Sequence, residues 1–225
     1  MKLLGLDTSG DACSAALLVD GAVSQRLERE PRRHGELILG MLQGLLDEAG
    51  LTLQGLDAVA FGRGPGSFTG VRIAVAVAQG IAFGAGLPTV PVSTLGALAQ
   101  GAWRRSGHRR ILAALDARMG EVYWGRYELG PEGVMVATGD ESVCPPEQVP
   151  PPHGGGWWGA GPGWSVHEPV LRERIGAVLE GVAPETICEA QDIVRLAAAS
   201  VSRGESTPPE LAQPVYLRDR VTDRR

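Results

Sequence analysis

A chain of 225 residues, at about 150 residues per domain, has room for one large domain or two small ones, and either can bury a sizeable core. Its 44% hydrophobic and 21% charged residues exclude a disordered chain, and its net charge of −5 excludes broad, unaided coating of nucleic acid. Lys2 is the single lysine among 21 basic side chains, so only it could serve as a Schiff-base or P-loop lysine.

Charge is unevenly placed: residues 1–110 hold 11 basic and 9 acidic side chains, and residues 111–225 hold 10 and 17. That asymmetry suits docking to partners better than a uniform coat. Cys13, Cys144 and Cys188 are odd in number and lack metal-type spacing, so a reducing cytoplasm is expected. Asp7 arrives before an apolar signal-peptide core could form.

Lys2–Leu6 is an apolar run ending in the turn cluster Asp7-Thr8-Ser9-Gly10-Asp11. Cys13 to Val19 and Ala22 to Leu27 read as strands joined by the hairpin signal Asp20-Gly21. A helix is predicted over His34–Ala49, with Leu37, Ile38, Met41, Leu42, Leu45 and Leu46 at helical spacing and Gly50 as its stop. Leu56 to Phe61 is a short buried strand. The loop Gly62-Arg63-Gly64-Pro65-Gly66-Ser67 leads into a long helix, Phe68 to Ala85, followed by a strand at Thr89–Val92 and a helix from Ser93 to about Trp103. The order βββαβαβα implies a mixed sheet with helices on its faces.

Near residue 111 the opening pattern returns, with Ile111–Leu115 ending in Asp116 as Leu3–Leu6 ends in Asp7. Strands at Glu121–Glu128 and Val134–Val136 follow, flanking a Gly-Pro-Glu-Gly turn, and suggest two related halves. Pro145 to Gly163 reads as loop with one short strand, its tryptophans packing a core. Helices at Glu168–Glu180 and Asp192–Ser202 precede an extended tail, Gln213 to Arg218.

The segment Gly62–Gly70 is the most unusual. Its glycines could cradle an anion through backbone N–H groups, or serve a tight strand-to-helix turn capped by Ser67. It is neither a Walker A loop, nor a Rossmann fingerprint, nor a nucleophile elbow. Asp7 and Asp116 at strand ends have the placement of carboxylates that hold Mg²⁺ in phosphate-handling sheets, yet turn stabilisation explains both equally well. His34, His108, His153 and His167 form no His-x-x-x-His pair, so no metal site is expected, and nothing local supports a catalytic triad.

The helix after the loop has one charge, Arg72, between Val71 and Leu87, and this run is too short and polar to span a bilayer comfortably. Two small-residue stripes, Gly70/Ala74/Ala78/Ala82 and Ala76/Gly80/Gly84, allow close helix approach. A helix so poor in charge must be covered nearly all round, either by burial within the chain or by a subunit interface made with the His34–Ala49 helix.

Four collinear stretches resemble the TsaB (YeaZ) family over essentially the whole chain. They are Leu6-Asp7-Thr8-Ser9, Gly62 through Arg72, Leu115 through Tyr123, and Pro214-Val215-Tyr216-Leu217-Arg218. The resemblance implies an α/β fold of two ribonuclease H-like lobes of the actin/sugar kinase/Hsp70 (ASKHA) superfamily. Residues 1–108 would form the first lobe, and residues 109–225 a reduced second lobe with the Pro/Gly-rich segment 145–163 and an extended tail.

It further implies a non-catalytic cytoplasmic subunit with a role in making threonylcarbamoyladenosine in tRNA, beside the anticodon. The chain would dimerise with a TsaD-like catalytic partner, with a TsaE-like ATPase, and form a homodimer alone. It would bind no cofactor itself, ATP and Mg being used through its partners, and no membrane. The expected interface residues are Leu37, Met41, Leu45, Arg72, Val75, Ala78, Gln79 and Ala82. A vestigial nucleotide or anion site would gather Asp7, Thr8, Ser9, Gly64, Gly66, Ser67 and Asp116. The rival readings are a Mg-dependent phosphotransferase using Asp7 and Asp116, a self-sufficient homodimeric binding module, and a glycoprotease-like peptidase.

Overall fold

The computed structural model describes residues 1–29 and 33–218; residues 30–32 and 219–225, assigned above to the two lobes, lie outside the described residues. Strands β1 (Lys2–Asp7), β2 (Cys13–Val19), β3 (Ala22–Glu28), β4 (Ala58–Gly62) and β5 (Thr89–Val92) form one sheet in the order β3-β2-β1-β4-β5. β1 runs antiparallel to β2 and parallel to β4. A second sheet takes β6 (Arg110–Asp116), β7 (Val122–Leu129), β8 (Met135–Ala137), β9 (Ser142–Cys144), β10 (Trp157–Ala160) and β11 (Leu179–Ala183). Its order is β11-β10-β6-β7-β8, with β9 also on β7. β6 is antiparallel to β7 and parallel to β10, so the two sheets share strand order and direction. The repeated opening in the sequence is therefore a repeated sheet, as the two-lobe fold requires.

Helices α1 (His34–Ala49), α2 (Phe68–Ala85), α3 (Thr94–Ser106), α4 (Pro162–Ile175) and α5 (Ala190–Ser202) cover both sheets. Helix ends follow local chemistry. Gly50 and Gly86 close α1 and α2 in the left-handed conformation, and the Ser67 and Ser93 hydroxyls accept from the Gly70 and Gly96 amides. On the outer face of the first sheet, Leu4, Leu6, Leu17 and Phe61 pack against Ile38, Leu42 and Leu45 of α1 and Ala74, Ala78 and Ala82 of α2. Its inner face, Leu3, Ala16, Leu18 and Ala60, packs on Ile193, Val194 and Ala197 of α5. Burial on both faces explains why β1 and β2 are nearly continuous apolar runs.

α3 belongs in sequence to the first half but in space to the second sheet, where Leu95, Leu98 and Ala102 meet Ile111, Ala113 and Tyr127. α5, from the second half, packs on the first sheet, and α3 and α5 touch each other between the sheets. A cut at 108/109 thus separates strands but not cores. On the far face of the second sheet, Trp124, Trp157 and Trp164 are buried with Leu171 and Ile175 of α4. The Trp164 indole N–H donates to the Leu112 carbonyl at 2.9 Å, so the core role expected of these tryptophans holds for Trp157 and Trp164. Trp158 is half-buried and stacks on His108, ring centroids 4.1 Å apart.

The predicted helix at Glu168–Glu180 is corrected in two ways. α4 starts at Pro162, carries a kink at His167, and ends at Gly176 (φ 68°), so Glu180 lies in β11. Leu171, Ile175 and Leu179 share helical spacing, but pairing of β11 with β10 overrides it. β9 has too little apolar pattern to be read from sequence, and where the first lobe has α1, the second has only a 3₁₀ turn at Pro146–Gln148.

Candidate functional site

The fold brings Asp7, Thr8 and Ser9, at the end of β1, against the loop between β4 and α2. The Asp7 carboxylate is buried, its Oδ2 accepting from the Ser9 amide at 3.3 Å and hydroxyl at 3.1 Å. Oδ1 is buried without an N–H or O–H donor, and the Cys188 thiol lies beside the carboxyl. Burial pushes the carboxyl up to about 6, against the opposing hydrogen bonds from Ser9. Thr8 Oγ1 donates to the Gly70 carbonyl at 2.6 Å, and the Ser67 amide donates to the Ser9 carbonyl at 2.7 Å.

The glycines of the loop serve this contact. A Cβ on Gly62 would strike Asp7 Oδ1, one on Gly66 would sit 2.7 Å from the Ser9 carbonyl oxygen, and one on Gly70 would run into the Thr8 carbonyl. Gly64 (φ +98°) holds a left-handed turn against the Val215 carbonyl. On its inner face the loop is a packed strand-to-helix turn, filled by the 7–9 turn.

Asp116 is engaged within its own turn. Its carboxylate accepts from the Arg118 amide at 2.9 Å and guanidinium at 3.0 Å, stabilising a turn in which Arg118 and Met119 have positive φ. The C-terminal tail links the two strand ends. The Val215 amide donates to the Arg63 carbonyl at 2.8 Å, and Arg218 donates to the Ala117 carbonyl at 3.0 Å and to the Glu121 carboxylate. A second tie crosses nearby, where Ser93 and Tyr127 donate to the Glu141 carboxylate, with Arg63 at 3.9 Å. The sequence marked the Pro214–Arg218 motif without a role, and nothing local marked Glu141 or Tyr127.

The three cysteines are free, and burial pushes each thiol up, Cys13 to about 11. None has the lowered pKa of a peptidase nucleophile. No group of three metal-ligating side chains occurs among the described residues.

The outer helix pair presents a different surface. Met41, Leu45, Val75, Ala78 and Ala82, expected at an interface, face this chain's own core, so their place there is corrected. Leu37 is half-buried, and half-buried Gln79 donates to the Ala212 carbonyl at 2.9 Å. Arg72 is exposed, its guanidinium 3.4 Å from the Phe68 ring centre. The stripe Gly70/Ala74/Ala78/Ala82 is the buried one, and Ala76, Gly80 and Gly84 are exposed. Phe83 (75% exposed) and Phe68 (52%) stand out from the same helix, and Leu39 (55%) from α1. α2 has the length and apolarity to cross a bilayer by composition, but its inner face is part of the core. A small-residue stripe flanked by exposed phenyls is suited to close packing against another helix pair.

The TsaB protein of Escherichia coli (strain K12), named for tRNA threonylcarbamoyladenosine biosynthesis, is 44% identical over 224 residues, covering 98% of this chain and 96% of that protein. The chain belongs to the TsaB (YeaZ) family. The TsaB protein of Haemophilus influenzae is 36% identical over 230 residues, covering 99% and 95% of the two chains. The structure of YeaZ from Pseudomonas aeruginosa superposes with a TM-score of 0.89 at 47% identity, covering 96% of this chain and 99% of that one. Residues 28–155 also match the family model described as TsaD, tRNA N6-adenosine threonylcarbamoyltransferase. The matched segment includes both outer helices.

Proposed function

We propose that this chain is a non-catalytic scaffold subunit in tRNA threonylcarbamoyladenosine biosynthesis, which docks a TsaD-like catalytic partner through the outer face of α1 and α2. The exposed Ala76/Gly80/Gly84 stripe with Phe68, Phe83 and Leu39 carries this reading. The match to the TsaD family model spans both helices, so such a partner would bring a related pair, and the two could pack about a pseudo-twofold axis. By the same geometry two copies of this chain pair when the partner is absent. A TsaE-like ATPase completes the assembly, tRNA is its substrate, and ATP and Mg²⁺ act through the partners in the cytoplasm.

The strand-end site supports a structural role for this subunit. Asp7 is sealed under Ser9, Gly62 and Cys188, Asp116 is held by Arg118, and the glycine loop is packed with protein. A phosphotransferase would need those carboxylates and amides turned toward a substrate.

Light scattering after size exclusion tests the reading, on the chain alone and mixed with a TsaD-like partner. The expected result is a homodimer that converts to a one-to-one heterodimer, with both species lost in Ala76→Glu. A partner mixture containing only the separate proteins would overturn it.

A further inference from the structure

Away from the strand-end site, a groove of about 580 Å³ opens between the two sheets. It lies at the opposite ends of the central strands, where the β2–β3 turn, α3, α5 and the β7–β8 turn converge. This volume is that of a small-molecule site, and Leu18, Trp103, Val134 and Ala198 give it apolar walls.

Its charges are unequally matched. Arg104 holds buried Asp192 through two hydrogen bonds of 2.9 Å and reaches Glu189 at 3.2 Å, and Arg105 takes the other Glu189 oxygen. Glu132, at the rim, is held by Arg203 at 2.7 Å. Arg195 is one turn beyond Asp192 on α5 and lines the groove, but it has no ion pair or hydrogen bond among the described residues. Its Nε is buried without a partner. Asp192 and Glu189 are thus hydrogen-bonded to Arg104 and Arg105, while Arg195, which acts on Asp192 only through space, lines an apolar-walled groove with no direct partner among the described residues. A half-buried arginine on the wall of an apolar groove offers an anionic head a charge-assisted hydrogen bond through its terminal guanidinium nitrogens.

We propose that this groove binds a small organic anion, a carboxylate or phosphate head on a flat apolar body, with Arg195 taking the head and the wall of Trp103 and Leu18 taking the body. The site is separate from the docking face of α1 and α2 and does not depend on it. Its occupant touches both sheets, meeting Leu18 of β2 and Val134 before β8, and so ties them together from the side opposite the tail.

The probe is 8-anilinonaphthalene-1-sulfonate, an anionic head on flat rings, followed by its fluorescence on titration into the full chain. Saturable binding is expected, weakened about tenfold by Arg195→Gln, as for loss of a charge-assisted hydrogen bond. Val134→Glu, on the half-exposed rim, is expected to weaken it as well, and it decides the matter if Arg195→Gln does not fold. Phe83→Ser removes probe bound to exposed α2 and is expected to leave the Arg195-dependent component intact. Absence of saturable binding, or equal binding by wild type, Arg195→Gln and Val134→Glu, would overturn the proposal.

Discussion

Burial holds the Asp7 carboxyl at about 6, whereas the same group titrates near 3.8 when solvated. The folded state therefore keeps its proton longer than the unfolded chain, and the associated stability is full below about pH 4 and lost as pH rises through 6. Asp7→Asn stays neutral throughout. It is expected to exceed wild type by up to about 3 kcal/mol in urea unfolding at pH 7.5, with the gap closing near pH 4. A gap that is the same at both pH values would show that Asp7 is not the titrating group. Cys188, beside it, was a bare cysteine in the sequence, because only the approach of the segment before α5 to β1 creates their contact.

At the scale of one element, α2 makes the clearest distinctions. Gly70 and Gly80 are both helical glycines, but a Cβ at Gly70 would strike the Thr8 carbonyl and one at Gly80 meets nothing within 4 Å. Gly80→Ala should gain about 0.5–1 kcal/mol from helix propensity, and Gly70→Ala should lose about 1–3 kcal/mol from overpacking. Opposite signs in thermal unfolding are the outcome to look for. The two alanine stripes divide in the same way. Ala78 is fully buried, so Ala78→Glu is expected to cost about 3 kcal/mol or more and to report on folding rather than on association. Ala76 is exposed, and Ala76→Glu is expected to change monomer stability by no more than about 0.5 kcal/mol while removing the partner contact.

Across the whole molecule, the exchanged helices α3 and α5 and the tail tie the two sheets. Arg218 is the outermost tie, meeting Ala117, Met119 and Glu121 of the second sheet's first turn. Arg218→Ala is expected to cost about 1.5–3 kcal/mol, the range for a lost hydrogen bond to a charged group. It should raise amide hydrogen exchange together in the 117–121 turn and at Val215. Faster exchange at Val215 with an unchanged turn would mean that the tail is anchored on the first sheet alone.

Local chemistry was enough to determine α1, α2 and β5 to their end residues, because apolar spacing, serine caps and glycine stops act over a few residues. The same reach made Asp7–Ser9 and Gly62–Ser67 recognisable as special segments and Asp116 as the echo of Asp7. Tertiary structure alone decided which small-residue stripe of α2 faces the sheet, since both stripes are equally small and only the packing of Phe61 and Leu6 distinguishes them. It also decided that the glycine loop is filled by the 7–9 turn, that β11 replaces the end of a helix, and that α3 and α5 trade sheets. Each of these depends on contacts between residues far apart in the chain, which no local pattern of residue types encodes.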